Sequence, residues 1–148
     1  MASLRTNALI ALVSVAALLR PAAGDAGEGF VVVVNQANPL DRSSRAELSK
    51  LFLKRTAAWP DRRVAAPCDL SATSPIRKAF SQAVHGKPVW VVVAFWQQEI
   101  ASGRSQPPGV CPSEQAALQT VRDNPGGVAY VSEGLPLGQG VKALTIEP

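Results

Sequence analysis

The sequence predicts one α/β domain, a largely parallel or mixed sheet flanked by helices. Three observations carry that class. β-branched runs alternate with segments of helical period, the order that builds a sheet with helices on its faces. Turn residues, among them Asn38-Pro39 and Asn124-Pro125-Gly126, punctuate the runs. The chain has 148 residues, one domain's worth and not two.

Residues 1–24 stand apart from that domain. Arg5 precedes an apolar run from Ala8 to Leu19, and small residues (Ala22, Ala23, Gly24) follow. A basic start, a short apolar run and a small-residue exit are the three parts of a secretory signal peptide. The run is too short for the roughly 20 residues that span a bilayer. The expectation is therefore a signal peptide, cleaved after Gly24 or Ala26, and a periplasmic domain over residues 25–148. The competing reading is an uncleaved anchor or a buried helix. Residues 1–24 hold Arg5 and Arg20 and no acid, so their loss lowers the net charge from +4 to +2. No basic run with interleaved aromatics exists, which argues against nucleic-acid binding.

Phe30-Val31-Val32-Val33-Val34, bounded by Asn35, reads as a strand buried on both faces. After a turn at Asn38 to Asp41, Ser43 or Ser44 caps a helix with Glu47 in its first turn. Leu48, Leu51 and Phe52 give that helix an apolar stripe, and it ends near Lys54-Arg55. Val64 to Cys68 is a short second strand. Ser74 opens the next helix, with Pro75 at the first helical position, where a missing N–H costs nothing. Its inner face is Ile76, Ala79, Phe80 and Val84.

Val89 to Ile100 is apolar and aromatic. Its β-branched content suits a strand, but the lack of alternation and the Gln97-Gln98-Glu99 continuation favour a buried helix. Trp90 and Trp96 are accordingly expected in the core. Residues 102–112 read as a loop. A helix from Ser113 through Arg122 is stopped by Asn124-Pro125-Gly126, and strands at Gly127 to Val131 and Val141 to Ile146 close the domain.

Cys68 and Cys111 form an even pair, which outside the cytoplasm suggests a disulfide; two separate buried thiols are the alternative. Their spacing suits no metal site and no C-x-x-C redox motif. His85, the lone histidine, reads as a helix-end residue facing the last carbonyls. No nucleophile–base motif, P-loop or H-E-x-x-H is visible, so the reading is a non-enzyme with no cofactor and no metal.

Four stretches stand in order along the chain: Val31 to Asn35 with Asn38-Pro39-Leu40; Ser44 to Lys54 with Trp59; Pro67 to Phe80; and Val121 to Val131. Together they resemble the phosphate-type (PstS-like) periplasmic substrate-binding proteins of ABC transporters. Lys54 stands where that family usually has glycine. The resemblance implies a type II binding-protein lobe, in a short single-lobe form, since family members close two lobes on an oxyanion. It further implies a small-anion ligand such as phosphate and a membrane transporter or sensor as partner. The loop Ser71-Ala72-Thr73-Ser74, with Arg77 one turn into the helix, offers hydroxyls and a cation at a helix start. Ser71, Thr73, Ser74, Arg77 and Asn35 are therefore the candidate ligand residues. The competing reading makes Ser74 an N-cap, Arg77 a solvated charge and Asn35 a turn residue. Asp69 and Pro75 depart from the family's Arg and Ser-Gly-Thr turn, one adding negative charge and the other removing an N–H. That departure leaves a second function open: an interaction or sensory accessory domain, without ligand, for a membrane partner.

Overall fold

The computed structural model describes residues 29–148, and the signal peptide expected over residues 1–24 lies outside them. The elements run β1 (Phe30–Asn35), β2 (Arg42–Ser44), α1 (Arg45–Phe52), β3 (Ala66–Asp69), α2 (Pro75–Phe80), a π-helical turn (Ser81–His85), α3 (Val89–Ala101), β4 (Gly109–Val110), α4 (Glu114–Asp123), β5 (Gly127–Ser132) and β6 (Val141–Glu147). The strands form a single sheet in the order β2-β6-β1-β5-β3-β4. β1 runs antiparallel to both its neighbours, β5 and β6. β2 is parallel to β6, and β3 is parallel to β4 and β5. Five strands thus point one way and β1 the other, so the sheet is mixed.

The valine run of β1 is explained by its position between two strands. Val32, Val33 and Val34 are fully buried, and a strand covered on both faces needs no polar alternation. α1 begins at a capping box. Ser44 Oγ accepts from the Glu47 N–H at 3.2 Å, and the Glu47 carboxylate accepts from the Ser44 N–H at 2.9 Å. The Ser44 backbone donor, with the Ser44 and Ser43 hydroxyls, holds the Glu47 carboxyl below its ordinary pKa. Leu48, Leu51 and Phe52 then face the core. Lys54, just past the helix, has φ 50°, a left-handed conformation that costs a side-chain-bearing residue about 1–2 kcal/mol and glycine almost nothing.

β3 starts two residues later than the expected Val64 to Cys68. The Val64 carbonyl packs onto Gly126 so tightly that a Cβ at Gly126 would overlap it. Only after this contact does the Ala66 N–H reach the Gly126 carbonyl, at 2.9 Å, and enter the ladder. Val64 itself is 73 % exposed. β2 falls at the expected helix cap, just past the turn, and β4 falls within the expected loop. At three and two residues they are too short to show a period, and pairing with β6 and β3 makes them strands.

α2 is capped by Ser74, whose Oγ accepts from the Arg77 N–H at 3.3 Å. Gly86, at φ 63°, ends the π-helical turn that follows. Phe52, Phe80 and Tyr130 meet at the centre, with the Phe80 and Tyr130 rings stacked at 3.8 Å.

α3 is a helix, but it is not buried. It rests against the π-helical turn, and its buried residues are Val89, Val92 and Trp96. Trp90, expected in the core, is 72 % exposed, while Trp96 is buried as expected. A helix apolar all round has no polar face to mark its outer side, so the sequence does not tell which tryptophan turns inward. Cys68 and Cys111 form a disulfide, Cα atoms 6.0 Å apart, joining β3 to the segment before α4.

Candidate functional site

β3 ends at Asp69, at the edge where the carboxyl ends of five strands gather. Asp69 and Arg77 are 5 % and 7 % exposed. Arg77 Nη2 lies 3.3 Å from Asp69 Oδ2, and Arg77 Nη1 donates to the Leu70 carbonyl at 2.6 Å. The other carboxylate oxygen accepts from the Tyr130 hydroxyl at 2.7 Å. That hydroxyl accepts in turn from the Leu70 N–H at 3.2 Å. Local sequence explains the pairing. Ser74 caps α2 and Pro75 sets its first φ, so Arg77 comes round on the inner face of the helix, beside the end of β3.

Burial raises the Asp69 carboxyl above the usual range, with Arg77 and then the Tyr130 hydroxyl opposing it. Burial, then the Asp69 charge, pushes the Tyr130 phenol well up, so it stays protonated and donates. His85 lies on the far side of Phe80, rings edge to face at 5.5 Å. Its Nδ1 is 2.8 Å from Ser49 Oγ, so it ties the π-helical turn to α1 and is not spent on helix-end carbonyls. Burial, reinforced by the Arg77 charge, lowers its pKa to about 4. The imidazole is neutral at pH 7.

The predicted ligand residues separate into three sets. Ser71 and Thr73 are exposed, with hydroxyls 3.0 Å apart, and the Thr73 N–H reaches Ser71 Oγ at 3.4 Å. Ser74 is spent as the cap of α2. Arg77, on the same turn, is not a solvated charge; it is occupied by Asp69 and Leu70. Asn35 is elsewhere. β1 runs opposite to β5, and β5 alongside β3, so Asn35 sits at the end where β3 begins, not where it ends. Its amide donates to the Val121 and Arg122 carbonyls at 2.9 and 3.0 Å, and its Oδ1 accepts from the Ala37 N–H at 2.8 Å. It thus caps two carbonyls in the last turn of α4, the Val121 carbonyl also accepting from the Asn124 N–H at 3.4 Å.

The structure adds two residues to the cluster. Asp69 was visible in the sequence as a stray carboxylate, but not as the partner of Arg77. Tyr130 lies 61 positions from Asp69, and no spacing signals their contact. Glu114, in the first turn of α4, is likewise engaged by the Ser132 N–H and hydroxyl.

For chemistry, the exposed part of this edge supplies the Ser71 and Thr73 hydroxyls, with the exposed Lys78 across a groove from Ala72. The arginine that would grip an anion already holds one, the Asp69 carboxylate. A hollow of about 320 Å³ between α1 and the segment around Trp59 contains none of the candidate residues. Among the described residues no group of three His, Cys, Asp or Glu side chains is placed to hold a metal ion. No described helix is long and apolar enough to cross a membrane.

No family model matches the sequence, and no curated protein is similar to it. Solved structures are similar in fold. An ABC-type phosphate transport receptor from Vibrio cholerae superposes with a TM-score of 0.62 at 21 % identity, covering 80 % of this chain and 46 % of the receptor. A substrate-binding protein of an ABC transporter from Clostridium perfringens, with bound phosphate, gives 0.62 at 14 % identity, covering 80 % and 44 %. A possible phosphate binding protein from Planctomyces limnophilus gives 0.60 at 19 % identity, covering 80 % and 41 %. The chain therefore has the fold of one lobe of a periplasmic binding protein, and spans less than half the length of the structures it matches.

Proposed function

We propose that this chain is a non-enzymatic, binding-protein-like module that acts in the periplasm by contact with a membrane transporter or sensor. Closing on a solute is not its mode in this reading. One observation carries the proposal: the Arg77 guanidinium, the group best suited to an oxyanion, is buried and already engaged by Asp69 and Leu70. An incoming phosphate would have to displace an internal carboxylate. Of the candidate ligand residues, the two left exposed, Ser71 and Thr73, are neutral donors better matched to a protein surface than to a multiply charged ion.

A second reading keeps the solute. Ser71, Thr73 and Ser74 gather hydroxyls where open α/β sheets place ligands, and one fold neighbour holds phosphate. In this reading they take a small oxyanion that an ABC transporter receives.

Thermal melting separates the two. A ligand at one hundred times its Kd adds about 2.7 kcal/mol to the folded state. In millimolar phosphate or sulfate the midpoint is expected to match that in chloride at equal ionic strength. A midpoint rising with the logarithm of phosphate concentration would overturn the first reading and establish the second. A photo-crosslinker placed at Thr73 is expected to capture one inner-membrane protein in cells.

A further inference from the structure

Among the described helices, α3 is the one whose large apolar residues turn outward. Thirteen residues make it about 20 Å long, and its buried side is only Val89, Val92 and Trp96. Trp90 stands 72 % exposed near its start and Ile100 50 % exposed near its end. Val91, Val93 and Phe95 are partly covered, and Ala94 is exposed between them. Beside this ridge runs a groove of about 440 Å³, lined by Ala72, Lys78, Val89, Trp90, Val93 and Gln97.

Charge decides what fits there. From Leu70 to Gln98 the sequence holds no Asp or Glu, and it carries Lys78 and Lys87, both exposed. On the far flank the Arg55 guanidinium lies over the Phe95 ring, 5.6 Å from its centroid, its stem along the apolar face and its charge in water. Glu99, the acid on α3, is held by Arg104 at 2.8 Å. The ridge is thus apolar, led by an indole and fringed with cations. A second copy of the chain would bring like-charged fringes together, which disfavours self-association. An anionic lipid surface matches all three features: tryptophan settles at the headgroup level, aliphatic residues enter the acyl boundary, and lysines meet lipid phosphates.

We infer that α3 is a membrane-surface contact, lying in the interface of an anionic phospholipid bilayer with Trp90, Val93 and Ala94 inward and Lys78, Lys87 and Arg55 at the phosphates. The contact is with lipid itself and does not rest on the partner or solute readings above. Residues 1–24 are apolar too, so each comparison is made between chains that share the same N-terminus.

The experiment uses the full chain with protein-free vesicles of phosphatidylglycerol or of phosphatidylcholine. Trp59 and Trp96 are buried, so a change in tryptophan emission reports Trp90. With phosphatidylglycerol vesicles the emission is expected to shift to the blue and to be quenched by brominated lipid. Trp90→Gln is expected to lose both responses and to melt within a few degrees of wild type, as an exposed position should. Ala94→Glu, a carboxylate set in the ridge, is expected to abolish vesicle binding and guards against any effect peculiar to the indole. Lys78→Gln and Lys87→Gln are each expected to weaken binding to phosphatidylglycerol about fivefold and to leave phosphatidylcholine unaffected. Equal vesicle binding by wild type and Ala94→Glu, or unquenched wild-type emission, would overturn the inference. So would retention on native membranes that protease treatment abolishes, with none on pure lipid, since the partner would then be a protein.

Discussion

Replacing Tyr130 with phenylalanine keeps the ring and deletes one oxygen. The ring is held by its stack on Phe80 at 3.8 Å, so the variant should keep its place and the loss should be that of the hydroxyl alone. Two buried partners are stranded by it. Asp69 loses the donor at 2.7 Å, a bond to a charged group worth about 1.5–3 kcal/mol. The Leu70 N–H loses its acceptor at 3.2 Å, leaving a buried donor that costs about 1–3 kcal/mol. The two effects share one oxygen and will not add in full, so the expected loss is about 2–4 kcal/mol at pH 7. For a domain of this size that lowers the melting midpoint by roughly 8–15 °C. Urea unfolding followed by circular dichroism measures it, with an unchanged slope showing that the denatured state is not at issue. The pH dependence gives a second check. The folded Asp69 carboxyl has a raised pKa, so its contribution is greatest in acid and is lost as pH rises through the folded value. The Tyr130 hydroxyl supports the ionised form, so the gap between wild type and Tyr130→Phe should narrow toward pH 4. A loss below about 1 kcal/mol at pH 7, or a gap that widens in acid, would refute the buried Asp69–Arg77–Tyr130 network.

The disulfide spans a sequence separation of 43 residues, and loop-closure entropy values such a crosslink at about 4 kcal/mol. The Cys68→Ser, Cys111→Ser double variant should lose about that much in urea unfolding, and a loss under about 1 kcal/mol would show that the bridge is stabilising little. His85 has its folded pKa pushed down from 6.5 to about 4. Below pH 6.5 the unfolded chain takes up a proton that the folded one refuses. Stability is therefore expected to be full above pH 6.5 and to fall by up to about 3 kcal/mol as pH drops to 4. His85→Gln should flatten that part of the profile, and an unchanged slope between pH 6.5 and 5 would place the titrating group elsewhere.

What was legible in the sequence followed from local chemistry. The valine run of β1, the Ser44–Glu47 box and the Ser74-Pro75 start of α2 each declare an element within a few residues. Trp59, which closes the second of the resembling stretches, is buried, and its indole donates to the Gly126 carbonyl at 3.0 Å. The candidate site was half legible. Hydroxyls at Ser71, Thr73 and Ser74 can be listed from a loop before a helix. That Arg77 turns inward depends on the helix phase, and that it meets Asp69 depends on where β3 ends. Asn35 reads as a neighbour of that loop only if β1 is assumed parallel to its neighbours. The antiparallel ladder with β5 puts it at the other end of the sheet, under α4.

The sequence by itself determined the α/β class, the helix starts and the strands with enough valine to need cover on both faces, because propensity, capping and period act within a few residues. It also carried the cysteine pair. Only the tertiary structure decided the direction of β1, the two short edge strands and the partner of Arg77. It decided, too, that Trp96 is buried while Trp90 faces outward. Each of these depends on residues far apart in the chain meeting across the sheet, where burial and charge pairing are set by neighbours that no local window contains.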